Sequence, residues 1–331
     1  MFAWEPGSDW PLMVAANRDE RLDRPAHAMD VLSDRDPRIL GGRDELAGGT
    51  WLAVNEHGVV AGLTNRPAPG GRDLTRRSRG ELPLMLASRT RAEDAVAHLL
   101  ETVVPGQYNP AWLLVGDRHS LTYIELAADL APTAVALGPG LHILENVALD
   151  EPSPKADRVH HLIAGADGAG SSPWEALPSV LADHVLPPGA SAATFGDDRS
   201  PRPEATLAAC VHTDDYGTRS AALVRVSEVP GSRPRFWWRT ALRAPSPSPM
   251  SAAYGRGRDD GPAARPAART PRWPEAARAV MDSSRPFVWR PVPPRRRDGP
   301  AGTGTAGAGG WVPPARSEGG AGCLTTEPAA P

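Results

Sequence analysis

The apolar residues of the first 244 positions fall into short runs, typical of strands, and longer one-sided stripes, typical of helices. The run at 12–16 predicts a buried strand that stops at the charged cluster 17–20, and the polar stretch 21–50 predicts a loop. The full set of predicted strands is 12–16, 51–55, 59–64, 112–116, 121–126, 141–145, 206–212, 220–226 and 235–239. The predicted helices are 80–88, 92–103, 155–164 and 174–186.

The order of these elements indicates the fold class. Groups of strands alternate with groups of helices, whereas a parallel sheet would alternate single strands with single helices. The pattern therefore predicts an α+β protein in which sheets are flanked by helices, as in a layered sandwich.

Composition changes abruptly near residue 245. Residues 245–331 contain 16 Pro and 12 Gly but only six residues from Leu, Ile, Val and Phe. Such a segment cannot bury enough apolar surface to offset the entropy of ordering it. We therefore predict one folded domain over 1–244 and a disordered Pro/Gly/Ala/Arg-rich tail over 245–331.

Charge and cysteine content exclude several classes of function. The chain has a net charge of −3, and because the tail is basic the domain itself is acidic, which suits neither nucleic acid nor an anionic membrane. No run of 18 apolar residues could span a membrane, and the first dozen residues carry no base, unlike a signal peptide. We expect a cytoplasmic protein. Two cysteines exclude a disulfide-rich scaffold.

Several short polar motifs occur in a recognisable order. They are Asn17-Arg18-Asp19-Glu20, Gly48-Gly49-Thr50-Trp51-Leu52, Gly62-Leu63-Thr64-Asn65, Ser78-Arg79-Gly80-Glu81-Leu82, Asn146 followed by Pro154-Lys155, and Asp215-Tyr216-Gly217-Thr218-Arg219. In this register, from about residue 4 to residue 238, the chain resembles the NRDE protein family, the family of Transport and Golgi organisation protein 2.

The resemblance implies an N-terminal nucleophile hydrolase-like fold, a four-layer αββα sandwich. In that superfamily a Cys, Ser or Thr at the chain terminus attacks an amide, and its own α-amine takes the proton. The chemistry is reasonable, because an α-amine titrates near neutral pH and a thiol is intrinsically nucleophilic. The tetrahedral oxyanion then needs preorganised donors.

The resemblance also implies roles for individual residues. Asp19 would orient the terminal amine, Asn65 and Asn146 would be oxyanion donors, and Arg219 would favour the thiolate. Arg18 would bind substrate or a structural partner. Structural alternatives remain open: the two Asn residues could cap turns, and Arg219 could pair with Asp19 as a scaffold bridge.

The nucleophile is where this sequence departs from the family pattern. The family begins Met-Cys, but here Met1-Phe2 precede Trp4, which matches the family's Trp. We expect part of the first strand to be missing. Either the start is misassigned and the Cys lies upstream of Met1, or catalysis has been lost. Cys210 is expected in the core of a strand, and Cys323 lies in the tail.

Two functions therefore stay open. The first is hydrolysis of a non-peptide carbon–nitrogen amide bond. The chain as written is expected to be inactive in this reaction unless an N-terminal Cys is restored. The second is a non-catalytic carrier on the same fold, for haem or for a lipid or acyl metabolite. Both involve a small-molecule ligand. No cofactor is expected, and no metal site, because Cys210 and His212 have no further ligand nearby in the sequence.

Overall fold

A computed structural model describes residues 1–68, 70–149, 151–168, 173–188 and 204–240. The predicted tail, 245–331, lies outside the described residues. Within the described ranges, two antiparallel sheets, four α-helices and one short 3-10 helix account for the regular structure.

The two sheets are formed by strands that are interleaved along the chain. The smaller sheet has five strands in the order β10-β1-β2-β11-β12: β1 (Phe2–Trp4), β2 (Leu12–Arg21), β10 (Gly140–His142), β11 (Tyr216–Val226) and β12 (Arg235–Thr240). The larger has seven in sequence order: β3 (Ala26–Ser33), β4 (Ile39–Asp44), β5 (Leu52–Asn55), β6 (Val60–Asn65), β7 (Ala111–Gly116), β8 (Leu121–Leu126) and β9 (Thr133–Ala136).

The helices cover the outer face of each sheet. Helices α1 (Glu81–Ala87) and α2 (Ala92–Thr102) pack on the seven-stranded sheet. Helices α3 (Pro154–Gly168) and α4 (Pro173–Leu181) pack on each other and on the five-stranded sheet. The result is the four-layer αββα sandwich that the resemblance implies.

The inner faces of the sheets lie against each other. A Cβ added at Gly62 of the larger sheet would lie 3.2 Å from the Phe2 ring of the smaller one, and one at Gly58 would lie 2.7 Å from Val226. Since side chains alternate along a strand, Leu12, Val14 and Arg18 face this interior, whereas Ala15 packs against α3 and α4.

Most predicted elements are confirmed, with three differences. Strand β2 runs through the charged cluster 17–20, because it pairs with β11 as far as Arg21. The predicted loop 21–50 contains β3 and β4. The predicted strand 206–212 is a 3-10 helix, Glu204–Leu207, followed by irregular backbone, so Cys210 is half-buried and not in a strand.

Besides β3 and β4, two strands had no predicted counterpart: β1 and β9. Both are short, of three and four residues, and β9 exposes most of its side chains. The apolar run of β1 is too short for a strand prediction, and the exposed side chains of β9 give no alternation of buried and exposed positions.

Candidate functional site

A cavity of about 300 Å³ opens beside the edge of β2. Strand β1 covers only Leu12–Val14 of β2, and the Met1 nitrogen donates to the carbonyl of Ala15 at 2.8 Å. Beyond Ala15 this edge of β2 lines the cavity, as do residues of the larger sheet and of α3. The cavity therefore reaches both faces of the smaller sheet.

Arg18 is the most buried charged residue in this cavity, with 7% of its surface exposed. Its guanidinium stacks on Trp51, 4.4 Å from the ring centroid, and its Nη2 lies 3.9 Å from Glu20 Oε2. Among the described residues, that Nη2 has no hydrogen-bond partner. Burial lowers the pKa of Arg18, and the nearby carboxylates of Glu20 and Asp44 oppose this shift.

Two further side chains in the cavity are relevant to its charge and hydrogen bonding, those of Thr64 and Arg79. The Thr64 hydroxyl is buried, and no described residue bonds to it. Arg79 donates to the carbonyl of Pro110 at 3.0 Å and is in no ion pair among the described residues. Burial, followed by the charges of Arg72 and Arg24, lowers the pKa of Arg79 to about 10. This wall of the cavity favours an anion.

Glycines set the position of this wall. A Cβ added at Gly49 would lie 2.4 Å from the carbonyl carbon of Gly80, and the Thr50 amide donates to the Gly80 carbonyl at 2.9 Å. Only glycine permits so close a backbone approach. Trp51 lies two residues after Gly49, and Arg79 lies directly before Gly80. The contact between the two glycines therefore brings both side chains to the same cavity.

Asp19 lies on the opposite face of β2 from Arg18. It accepts a hydrogen bond from the Thr218 hydroxyl at 2.5 Å, across the pairing of β2 with β11. Burial raises the pKa of Asp19, while the charge of Lys155, the Thr218 hydrogen bond and His212 oppose that shift. Lys155 also lines the cavity, at the start of α3.

The two predicted asparagines are brought together. Asn65 ends β6 and Asn146 follows β10, and both line the cavity. The Asn146 side-chain amide donates to the backbone carbonyl of Asn65 at 2.8 Å. Asp19, Asn65, Asn146 and Arg18 thus share one cavity, although they come from three strands or strand ends.

Arg219 lies apart from this group. The pairing of β11 with β2 shifts register between Thr218 and Ser220, so Arg219 is the extra residue of a β-bulge. Its exposed guanidinium donates to the Leu22 carbonyl, and it does not line the cavity. The carboxylate of Asp19 is bonded to Thr218 instead. The role that the resemblance implies for Arg219 stays a prediction.

Sequence reasoning missed the contacts of Trp51 and Arg79 within the cavity. The signal was present in the Gly48-Gly49 and Gly80 motifs, since glycines beside polar residues mark close backbone approach. It could not be used without knowing that the two loops meet. It also missed a cluster of His184, Cys210 and His212 outside the cavity.

Fold and cavity together define a four-layer αββα protein with a cavity of about 300 Å³ beside the edge of β2. A family model described as Transport and Golgi organisation 2 matches residues 1–231, and the chain belongs to that family. The Transport and Golgi organization protein 2 homolog of Bos taurus is 31% identical over 231 residues, covering 65% of this chain and 82% of the relative. The Homo sapiens homolog is 29% identical with the same coverage.

Solved structures give more distant similarities. Penicillin V acylase from Agrobacterium tumefaciens has 12% identity and a TM-score of 0.38, covering 72% of this chain and 85% of that one. A Caenorhabditis elegans N-acylethanolamine-hydrolyzing acid amidase ortholog has 10% identity and a TM-score of 0.42, covering 67% and 90%. Among the described residues, no helix has the length and apolarity to cross a membrane.

Proposed function

We propose that this protein binds a small acyl compound that carries a carboxylate, with the carboxylate against Arg18. The observation that carries this proposal is the buried Arg18 Nη2, which has no hydrogen-bond partner among the described residues. The Glu20 carboxylate, 3.9 Å from this nitrogen, is beyond hydrogen-bond distance. A buried donor without an acceptor is costly, and a ligand carboxylate matches the guanidinium in shape.

The rest of the cavity suits the acyl part of such a ligand. Apolar side chains line it alongside the polar ones: Phe2, Leu52, Leu63, Ile143, Leu144, Val159 and Leu181. At about 300 Å³ it is at the small end of the range for ligand pockets. Thr64 offers a hydroxyl for a second oxygen of the ligand.

Binding of hexanoate tests this proposal, with hexanamide as the neutral analogue. We expect the full chain to bind hexanoate at least about tenfold more tightly than hexanamide, because a charge-assisted hydrogen bond contributes about 1.5–3 kcal/mol. Arg18→Met should abolish that preference. Arg21→Met is the matched control, since Arg21 lies on the same strand but is exposed and paired with Asp23. Equal affinities for acid and amide, or no change in Arg18→Met, would contradict the proposal.

Amide hydrolysis of the N-terminal nucleophile type is the second candidate. The observation in its favour is that Asp19, Asn65 and Asn146 line the same cavity as Met1. In this mechanism a terminal thiol attacks the amide carbon, its proton passes to the α-amine, and the amine then protonates the leaving nitrogen. Water hydrolyses the thioester and restores the thiol. Asn65 and Asn146 would stabilise the oxyanion.

A variant that begins with Cys directly before Phe2, Met1→Cys with the initiator removed, tests this candidate. Burial lowers the pKa of an α-amine at this position to about 5, so the amine is neutral near pH 7 and can accept the thiol proton. We expect release of amine from small N-acyl substrates, and none from the control Met1→Ala. Equal rates in both variants would remove this candidate and leave the binding proposal standing.

A further inference from the structure

Three metal-ligating side chains converge beyond the end of α4. His184 follows α4, while Cys210 and His212 lie in the irregular segment before β11. The candidate ligand atoms of these three residues all lie within 4.8 Å of one another. They are separate from the residues that line the cavity.

The spacing of these atoms fits one bound ion. Cys210 Sγ lies 3.6 Å from His212 Nε2. A tetrahedral zinc with bonds of roughly 2.3 Å to sulfur and 2.05 Å to nitrogen requires a sulfur–nitrogen separation of roughly 3.6 Å. The imidazoles of His184 and His212 are neighbours, with ring centroids 4.7 Å apart.

His184 is positioned as ligating histidines usually are. Its Nδ1 lies 3.2 Å from the Cys210 carbonyl oxygen. With the proton on Nδ1, that nitrogen donates to the carbonyl and Nε2 keeps its lone pair. Such a backbone contact fixes the tautomer and the ring orientation of a ligating histidine.

The surrounding backbone holds the two segments together before any ion binds. The Cys210 amide donates to the Asp183 carbonyl at 2.8 Å. The Asn17 side-chain amide donates to the carbonyls of Leu181 and Ala209, each at 2.8 Å. Binding an ion therefore requires only small side-chain movements, and little ordering entropy is lost.

We propose that His184, Cys210 and His212 bind a zinc ion. Two imidazoles and one thiolate are a donor set that suits zinc. The ion replaces the thiol proton of Cys210, which leaves to solvent. Both histidines are exposed, so water takes the fourth position.

Cobalt(II) titration of the full-length chain, followed by competition with zinc, tests the proposal. Cobalt bound to a thiolate gives a charge-transfer absorption in the near ultraviolet, and tetrahedral cobalt absorbs strongly in the visible. We expect both signals to saturate at one equivalent and to be lost when zinc displaces cobalt. A signal that does not saturate near one equivalent would overturn the proposal.

Matched variants identify the ligands. Cys210→Ser should lose the charge-transfer signal, while Cys323→Ser, which removes the chain's other cysteine, should keep it. His212→Ala should weaken binding at least about tenfold. His57→Ala should leave affinity unchanged, although His57 lies in a second group of potential ligands with Asp36 and Glu56.

Circular dichroism without metal shows whether each variant is folded. The His212 side chain is exposed, so His212→Ala is informative even if Cys210→Ser does not fold. Loss of the signal in Cys323→Ser, or unchanged affinity in His212→Ala, would overturn the proposal.

Discussion

The outer faces of the two sheets differ in what they bury. The seven-stranded sheet packs on α1 and α2 through an apolar cluster that includes Leu82, Leu99, Leu113 and Ile124, each with no exposed surface. The five-stranded sheet packs on α3 and α4 through a cluster whose members are more exposed, such as Ile163 at 9%.

Strand β2 shows how this difference arises. On its helix-facing side, Ala15 joins the apolar cluster, and the next two residues of that side are Asn17 and Asp19. The same strand therefore contributes to the core in its first half and to the cavity in its second. One side of the molecule stabilises the fold, and the other gives up some packing to hold polar groups.

The largest effect is expected from truncating the apolar side. Leu113→Ala should lower the free energy of unfolding by about 2–5 kcal/mol, because the neighbouring helices cannot close the space that the side chain leaves. Leu223→Ala, in the cluster beside the cavity, should cost less, since Leu223 is 6% exposed. Urea denaturation of both variants measures the difference. An equal or larger cost for Leu223→Ala would contradict the contrast between the two faces.

The glycine contact that shapes the cavity should give the next largest effect. Gly49→Ala places a Cβ 2.4 Å from backbone of Gly80, so the two loops must separate. We expect a loss of about 2 kcal/mol in the free energy of unfolding and weaker hexanoate binding. Gly138→Ala is the control, because nothing lies within 4 Å of a Cβ added there. An unchanged free energy of unfolding in Gly49→Ala would show that the close approach of Gly49 to the Gly80 backbone is not required.

A smaller, pH-dependent effect is expected at Asp19. Its folded-state pKa is raised, so its contribution to stability is full below the unfolded-state pKa of about 3.9 and is lost as pH rises through the folded value. Asp19→Asn can still accept the Thr218 hydrogen bond but does not ionise. The stability of the variant relative to wild type should therefore rise with pH, by about 1.4 kcal/mol for each unit of pKa shift. Parallel denaturation profiles between pH 3.5 and 8 would contradict this.

Sequence patterns predicted the fold well where one face of an element is buried. The stripe of α2 and the hairpin of β5 and β6 follow directly from the spacing of apolar residues. Strand β3 was missed because all of its side chains are partly or fully exposed and its pairing has two register shifts. Strand β4 was missed because its two apolar residues, Ile39 and Leu40, are followed by two glycines and two charged residues. Without an apolar alternation, only pairing with a neighbour defines such strands.

The candidate site was predictable in part. The resemblance pointed to Asp19, Asn65, Asn146 and Arg18, which do share a cavity. The position of Arg219 depends on a β-bulge, which leaves no mark in a single sequence. The meeting of His184 with Cys210 and His212 depends on how α4 and the segment before β11 pack, and 25 residues of chain separate His184 from Cys210.

The central claim is that an anionic ligand group lies against Arg18 between the two sheets. A crystal structure with a bound bromine-labelled carboxylate, 6-bromohexanoate, tests this most directly, because the carboxylate is visible in the density and the bromine is located by anomalous scattering. We predict the carboxylate oxygens within hydrogen-bond distance of Arg18 Nη2 and the bromine among the apolar residues of the cavity. A carboxylate bound elsewhere, with Arg18 Nη2 left without a hydrogen-bond acceptor, would contradict the account.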